Sequence, residues 1–110
     1  WRRFALFSGG NQQKIVISKW LRLKPRVLLV EEPTQGVDVG AQDAIHTLIR
    51  NAANEGAAVV VASTDTAELA RISDRVLVFS FGEIDAELDG ESLTESNLLY
   101  HTLGARTPQP

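Results

Sequence analysis

The sequence predicts an α/β fold in which a mainly parallel sheet is flanked by helices, followed by a C-terminal β-hairpin and helix. Two short apolar runs, at residues 27–30 and 57–62, are typical of buried strands. Between them, residues 41–55 carry apolar pairs every four residues, the pattern of an amphipathic helix, and Gly56 is suited to end it. A strand, a helix and a second strand form a βαβ unit, so we expect parallel strands covered on both faces.

Upstream of this unit, residues 11–23 are predicted to form a helix. Val16, Trp20 and Leu23 fall on one stripe of it, so Trp20 is expected in the core. Lys24-Pro25 ends the helix, because the residue before a proline disfavours helical backbone. His46 and His101 have no partner at metal-ligand spacing, and both are expected at the surface.

The C-terminal part predicts a short helix, a hairpin and a final helix. Asp65 and Glu68 have the spacing of a capping box, and so do Ser92 and Glu95. The predicted elements are a helix at 65–72, strands at 75–79 and 84–88, and a helix at 92–103. We expect residues 1–104 to belong to one domain and residues 105–110 to be a disordered tail.

Composition excludes several classes of function. The chain has 110 residues and no Met, so it is expected to be a fragment of a longer chain. It has no Cys, which excludes disulfides and thiolate metal sites. The net charge is −3, with acidic and basic residues interspersed, so no nucleic-acid surface is expected. The apolar runs are too short to cross a bilayer, so any membrane role needs a partner.

Ser8, Gly9, Gly10 and Asn11 lead directly into the first helical pattern. The glycines bring the backbone close to a ligand without obstruction from a Cβ atom. The helix that follows directs free N–H groups and its positive dipole end at the same place, and the Ser8 hydroxyl adds a donor. This arrangement suits a phosphate group. The alternative is a glycine loop that only turns the chain.

A second motif follows the strand at residues 27–30, which ends in Glu31-Glu32-Pro33-Thr34. A buried strand that carries two carboxylates to its C-terminal tip suits a site for a metal and a nucleotide. Together with Gly36-Val37-Asp38, these motifs resemble the ABC-transporter ATPases. Residues 7–11 are similar to the signature motif, with Phe7 where that family prefers leucine. Residues 27–32 are similar to the Walker B strand with its catalytic glutamate, and residues 36–38 are similar to the D-loop.

The extended pattern, which spans about residues 4–104, resembles the second nucleotide-binding domain of the double-domain ATPases that power bacterial importers of ribose, galactose or xylose type. The resemblance implies an ATPase that uses ATP and Mg²⁺. It implies Glu32 as general base, against the alternative of a solvated loop acid. It places Glu31 at the magnesium site, where the family usually has Asp, so metal coordination there is in question.

Two further positions follow from the resemblance. Thr64 stands where the family usually has a switch histidine; it can donate a hydrogen bond to phosphate, but the alternative is that it helps to cap the next helix. Asp38 matches the acidic residue of the D-loop at the dimer interface. Its alternative is a loop acid at the start of helix 41–55.

In this family two nucleotide-binding domains sandwich ATP, and each site takes its phosphate loop from one half and its signature motif from the other. This sequence contains no Gly-x-x-x-x-Gly-Lys-Ser/Thr motif. The resemblance therefore implies that Ser8, Gly9, Gly10 and Asn11 complete an ATP site in trans, and that the fragment alone is inactive.

The implied partners are the first nucleotide-binding domain of the same chain, membrane permease subunits and, indirectly, a periplasmic sugar-binding protein, with no nucleic acid. The implied location is peripheral, at the cytoplasmic face of the inner membrane. The open alternatives are a soluble ABC-type ATPase without a permease and a non-hydrolytic module that closes around a partner's nucleotide.

Overall fold

The computed structural model describes residues 10–103. Ser8, Gly9 and the predicted tail at 105–110 lie outside this part of the chain. The helices are α1 (Gly10–Arg22), α2 (Val39–Asn54), α3 (Thr66–Ile72) and α4 (Glu95–Leu103), and the strands are β1 (Val27–Glu31), β2 (Ala58–Ala62), β3 (Arg75–Ser80) and β4 (Glu83–Asp89), with a single 3₁₀ turn at Gly90–Ser92. The chain divides into two compact units, Trp1–Ser63 and Thr64–Pro110.

The first unit contains the predicted βαβ arrangement. β1 and β2 pair in parallel, in a register that places Val27 opposite Ala58 and Glu31 opposite Ala62. The intervening α2 runs from Val39 to Asn54, and Gly56 follows it with a φ of 107°, a backbone conformation that favours glycine. The α/β class and the parallel pairing predicted from the apolar runs are therefore confirmed.

The core of the first unit lies on one face of this small sheet. Ile45 is fully buried, and Ile17 and Ile49 are buried beside it, with half-buried side chains of β1 and β2 packed against them. On the other face, Val27, Leu29 and Val60 are each more than half exposed. Because successive side chains of a strand point to opposite faces, α1 and α2 cover only one of them. The expectation that both faces are covered was wrong for the described chain.

Two expectations about individual side chains were also wrong. Trp20 is 48% exposed, because the buried stripe of α1 runs through Ile17 and the half-buried Leu21, four residues apart. His46 was expected at the surface but is buried. It follows Ile45 directly and precedes Ile49 by three residues, so it lies at the edge of the packed face of α2.

The second unit is built on the predicted hairpin. β3 and β4 pair in antiparallel fashion, with an irregularity between Val78 and Phe79. The connecting residues Phe81 and Gly82 both have positive φ, as two-residue hairpin turns of type I′ require. The core side chains of this unit are Val76, Val78, Leu88 and Leu98.

Capping in the second unit differs in part from the prediction. Asp65 accepts a hydrogen bond from the backbone N–H of Glu68 and starts α3 as expected. For α4, however, the hydroxyl of Thr94 accepts from the N–H of Asn97, whereas the hydroxyl of Ser92 is engaged with the backbone of Asp89 in the preceding 3₁₀ turn. The helix therefore begins at Glu95, and the predicted start at residue 92 was too early. Within residues 10–103, no helix is both long enough and apolar enough to span a membrane.

Candidate functional site

The first component of the site is the N-terminal end of α1. Gly10 is its first residue, and its first turn contains no acidic side chain, while Lys19 and Arg22 lie in the last turn. The positive end of the helix dipole is therefore not neutralised by an acidic side chain of this first turn. The backbone at Gly10 suits an anion. The other predicted members of this group, Ser8, Gly9 and the side chain of Asn11, lie outside what the structure describes.

The second component is the C-terminal tip of β1. Glu31 is the last residue of the strand and is exposed, and Glu32 follows it half-buried. The backbone N–H of Glu32 donates to the carbonyl of Ala62 at 2.7 Å, which extends the pairing with β2 by one residue. Glu32 then adopts a φ of 46°, which is uncommon for a residue with a side chain. Such backbone outliers are concentrated at functional sites, where the surrounding structure holds them in place.

The loop after Glu32 is held by a series of backbone contacts. Pro33 and Thr34 are buried, and Thr34 is only 4% exposed. The N–H of Gln35 donates to the carbonyl of Glu32, and the N–H of Val37 donates to that of Thr34. The loop that carries Glu32 is thus fixed by its own hydrogen bonds and by burial.

One contact joins these two components, and the sequence did not point to it. The side-chain Nε2 of Gln13 donates a hydrogen bond to the carbonyl oxygen of Pro33 at 2.7 Å. Gln13 lies in the first turn of α1, and Pro33 directly follows Glu32. The N-terminal end of α1 and the carboxylate loop are therefore joined by a hydrogen bond within the first unit. No pattern in the sequence marks this pair, because twenty residues separate them.

Asp38 acts as the N-cap of α2. Its carboxylate accepts a hydrogen bond from the N–H of Ala41 at 2.9 Å, and its carbonyl accepts from the N–H of Gln42. This is the structural alternative considered for Asp38. Asp38 is exposed, and a D-loop role for it at an interface between domains stays a prediction.

Replacement of Asp38 tests its capping role through the free energy of unfolding. Asp38→Ala is expected to lower the free energy of unfolding by about 1 kcal/mol, because an N–H of the first turn of α2 loses its acceptor. Asp38→Ser retains an acceptor and is expected to retain most of that stability. Denaturant unfolding of the full-length protein measures both values. Asp43→Ala, an exposed position within the same helix, is the control, and an equal loss there would contradict the capping role.

Thr64 is exposed and directly precedes Asp65. Asp65 is the N-cap residue of α3, and its side chain accepts from the N–H of Glu68. Thr64 begins the second unit, whereas Glu31 and Glu32 belong to the first. Its assignment to the phosphate site stays a prediction.

A magnesium site at Glu31 was tested against the side chains present. Within residues 10–103, no group of three or more His, Asp or Glu side chains is placed to hold a metal ion. Mg²⁺ in nucleotide sites is commonly held by one or two carboxylates together with waters and phosphate oxygens. The exposed carboxylate of Glu31 fits that kind of ligand set as a single protein donor.

Comparison with known proteins adds independent observations. No family model matches the chain. The ribose import ATP-binding protein of Roseobacter denitrificans is 45% identical over 97 residues, which cover 88% of this chain and 19% of that protein. The arabinose import ATP-binding protein of Pseudomonas savastanoi is 47% identical over 102 residues, which cover 93% of this chain and 20% of that protein. The chain therefore spans about one fifth of the length of these relatives.

A solved structure of the ATP-binding subunit of an ABC transporter matches with a TM-score of 0.68 at 23% identity, over 96% of this chain and 42% of that one. The α/β fold is accordingly similar to that of the ATP-binding subunit of an ABC transporter. By sequence, the chain is homologous to a segment of the ATP-binding proteins of sugar import, as the resemblance in its motifs predicted.

Proposed function

We propose that this chain is part of the ATP-hydrolysing subunit of an ABC importer for sugars. The observation that carries the proposal is the hydrogen bond between Gln13 and Pro33. It joins the first turn of α1, which has no acidic side chain, to the loop of Glu32 within one compact unit. The identity of 45–47% to ribose and arabinose import proteins supports the sugar class. Partners of the full protein are a first nucleotide-binding domain, membrane permease subunits and a periplasmic sugar-binding protein, and its place is the cytoplasmic face of the inner membrane.

Each predicted residue has a chemical task in this proposal. The amides at the start of α1, with the Ser8 hydroxyl, stabilise negative charge on the terminal phosphate of an ATP held by the other domain. Glu32 orients and polarises the attacking water at this half's own site. Thr64 donates one hydrogen bond to phosphate. Glu31 would hold a bound Mg²⁺ through one carboxylate oxygen, and that ion would neutralise phosphate charge.

The two ATP sites of the full protein are unequal in this proposal. The deviations, Glu31 in place of Asp and Thr64 in place of His, both concern the site that this half builds for itself. Glu31 is one methylene longer, and Mg²⁺ tolerates little geometric error. Thr64 has no imidazole to exchange a proton near neutral pH. This half's own site therefore binds nucleotide and hydrolyses it slowly, while the site completed by Ser8, Gly9 and Gly10 is the active one.

A second candidate is a non-hydrolytic module that closes around the nucleotide of a partner, which Thr64 favours. ATP hydrolysis by the full-length protein, measured alone and with its permease and sugar-binding protein, separates the candidates. We expect hydrolysis that rises when the permease and the sugar-loaded binding protein are added. A rate of ATP hydrolysis that does not change when the membrane partners are added indicates a soluble ATPase. Absence of ATP hydrolysis in every mixture indicates the non-hydrolytic module.

A further inference from the structure

We propose that Gln13 is a positioning residue that holds the helix end at Gly10 against the loop of Glu32, an inference that rests on the proposed function. The first step is its place in α1. Gln13 follows Gly10 by three residues and is half-buried. Residues three apart lie on the same side of a helix, so Gln13 lies about one turn from the helix end at Gly10, which would meet the phosphate.

The second step is the partner of Gln13. The Pro33 carbonyl accepts from Gln13 Nε2 at 2.7 Å and belongs to a loop held by burial and backbone hydrogen bonds. The loop is therefore a fixed support for α1. Ile17, one turn further from the tip, is the buried core residue of α1 among the side chains that the structure describes. Gln13 adds a contact closer to the tip and consequently helps to place the first turn.

The third step is the position of Pro33 itself. It follows Glu32, whose backbone is held at a φ of 46°. The hydrogen bond from Gln13 therefore joins the first turn of α1 to the residue that directly follows Glu32. The fixed backbone at Glu32 and the helix end at Gly10 are held in one arrangement through Pro33 and Gln13.

The experiment uses four variants of the full-length protein assembled with its permease. Gln13→Met and Gln13→Glu remove the donor, the second with nearly unchanged shape, whereas Gln13→Lys keeps a donor that can reach the Pro33 carbonyl. The control is Asn97→Leu, which removes a side-chain donor to the Ser92 carbonyl in the second unit. For each variant, kcat and KM for ATP and the thermal midpoint are measured.

We expect Gln13→Met and Gln13→Glu to lower kcat about tenfold with KM little changed, a size typical of coupling through a packed contact. Gln13→Lys is expected to retain most of the activity, and Asn97→Leu all of it. The positioning role is wrong if all three Gln13 variants have the kcat of the wild type. It is also wrong if kcat falls in proportion to the thermal midpoint in every Gln13 variant, including Gln13→Lys, which keeps a donor. A wild-type complex without ATPase activity would instead refute the proposed function.

Discussion

Ser8→Ala in the full-length protein is expected to reduce transport-coupled ATP hydrolysis by a factor on the order of 100 to 1,000. Loss of one donor aimed at developing negative charge typically has an effect of this size. Ser8 precedes Gly10 by two residues in the sequence. In the unequal arrangement proposed above, its hydroxyl belongs to the active site. Steady-state hydrolysis in the presence of permease and sugar-loaded binding protein measures the effect.

Glu32→Gln is the partner experiment, and a much smaller loss is expected from it. Glu32 belongs to the site built with Glu31 and Thr64, which hydrolyses slowly in the proposal. Ser96→Ala, at an exposed position of α4, controls for the removal of a serine hydroxyl. If Glu32→Gln proves as damaging as Ser8→Ala, the two sites are not unequal in the way proposed.

The second large effect concerns residues 1–110 produced alone. We expect no sharp cooperative thermal transition and only weak binding of ATP. Val27, Leu29 and Val60 leave one face of the β1–β2 sheet exposed, and apolar side chains left in water contribute little to stability. The described strands also form two separate two-stranded sheets, whose edges leave backbone groups unpaired, and the sequence contains no phosphate-loop motif.

Circular dichroism during heating and calorimetric titration with ATP measure these properties. Leu29→Thr alters the open face and is expected to leave the melting profile almost unchanged. Ile45→Ala removes a fully buried side chain, at a cost of about 2 to 5 kcal/mol, and is expected to abolish most of the helical signal. A cooperative transition together with micromolar ATP affinity in the unmodified chain would contradict this prediction.

Much of the local structure could be predicted because the signals are local. The four-residue repeat of α2, Gly56 after it and the cap at Asp65 act within a few residues of one another. Failures occurred where several local signals compete. Ser92 and Thr94 are both good caps, and the 3₁₀ turn that engages Ser92 left Thr94 as the cap of α4.

The side chains on helix faces show a different limit. Trp20 and Ile17 are both apolar and both lie near the same side of α1, so spacing alone does not say which is buried. The packing of α1 against α2 selected Ile17, and His46 of α2 is buried as well. Which side chains of a helix become buried depends on the elements that pack against it, whereas a periodic pattern shows only that the helix has an apolar face.

The sequence by itself determined the α/β class, the parallel pair, the hairpin and the motifs at Gly10, Glu32 and Asp38. It did so because strand and helix periodicity, caps and glycine positions depend on neighbouring residues. Only the tertiary structure decided that His46 is buried, that one sheet face stays open, and that Gln13 reaches Pro33. These features join residues distant along the chain or depend on which surfaces meet, so they follow from the folded geometry.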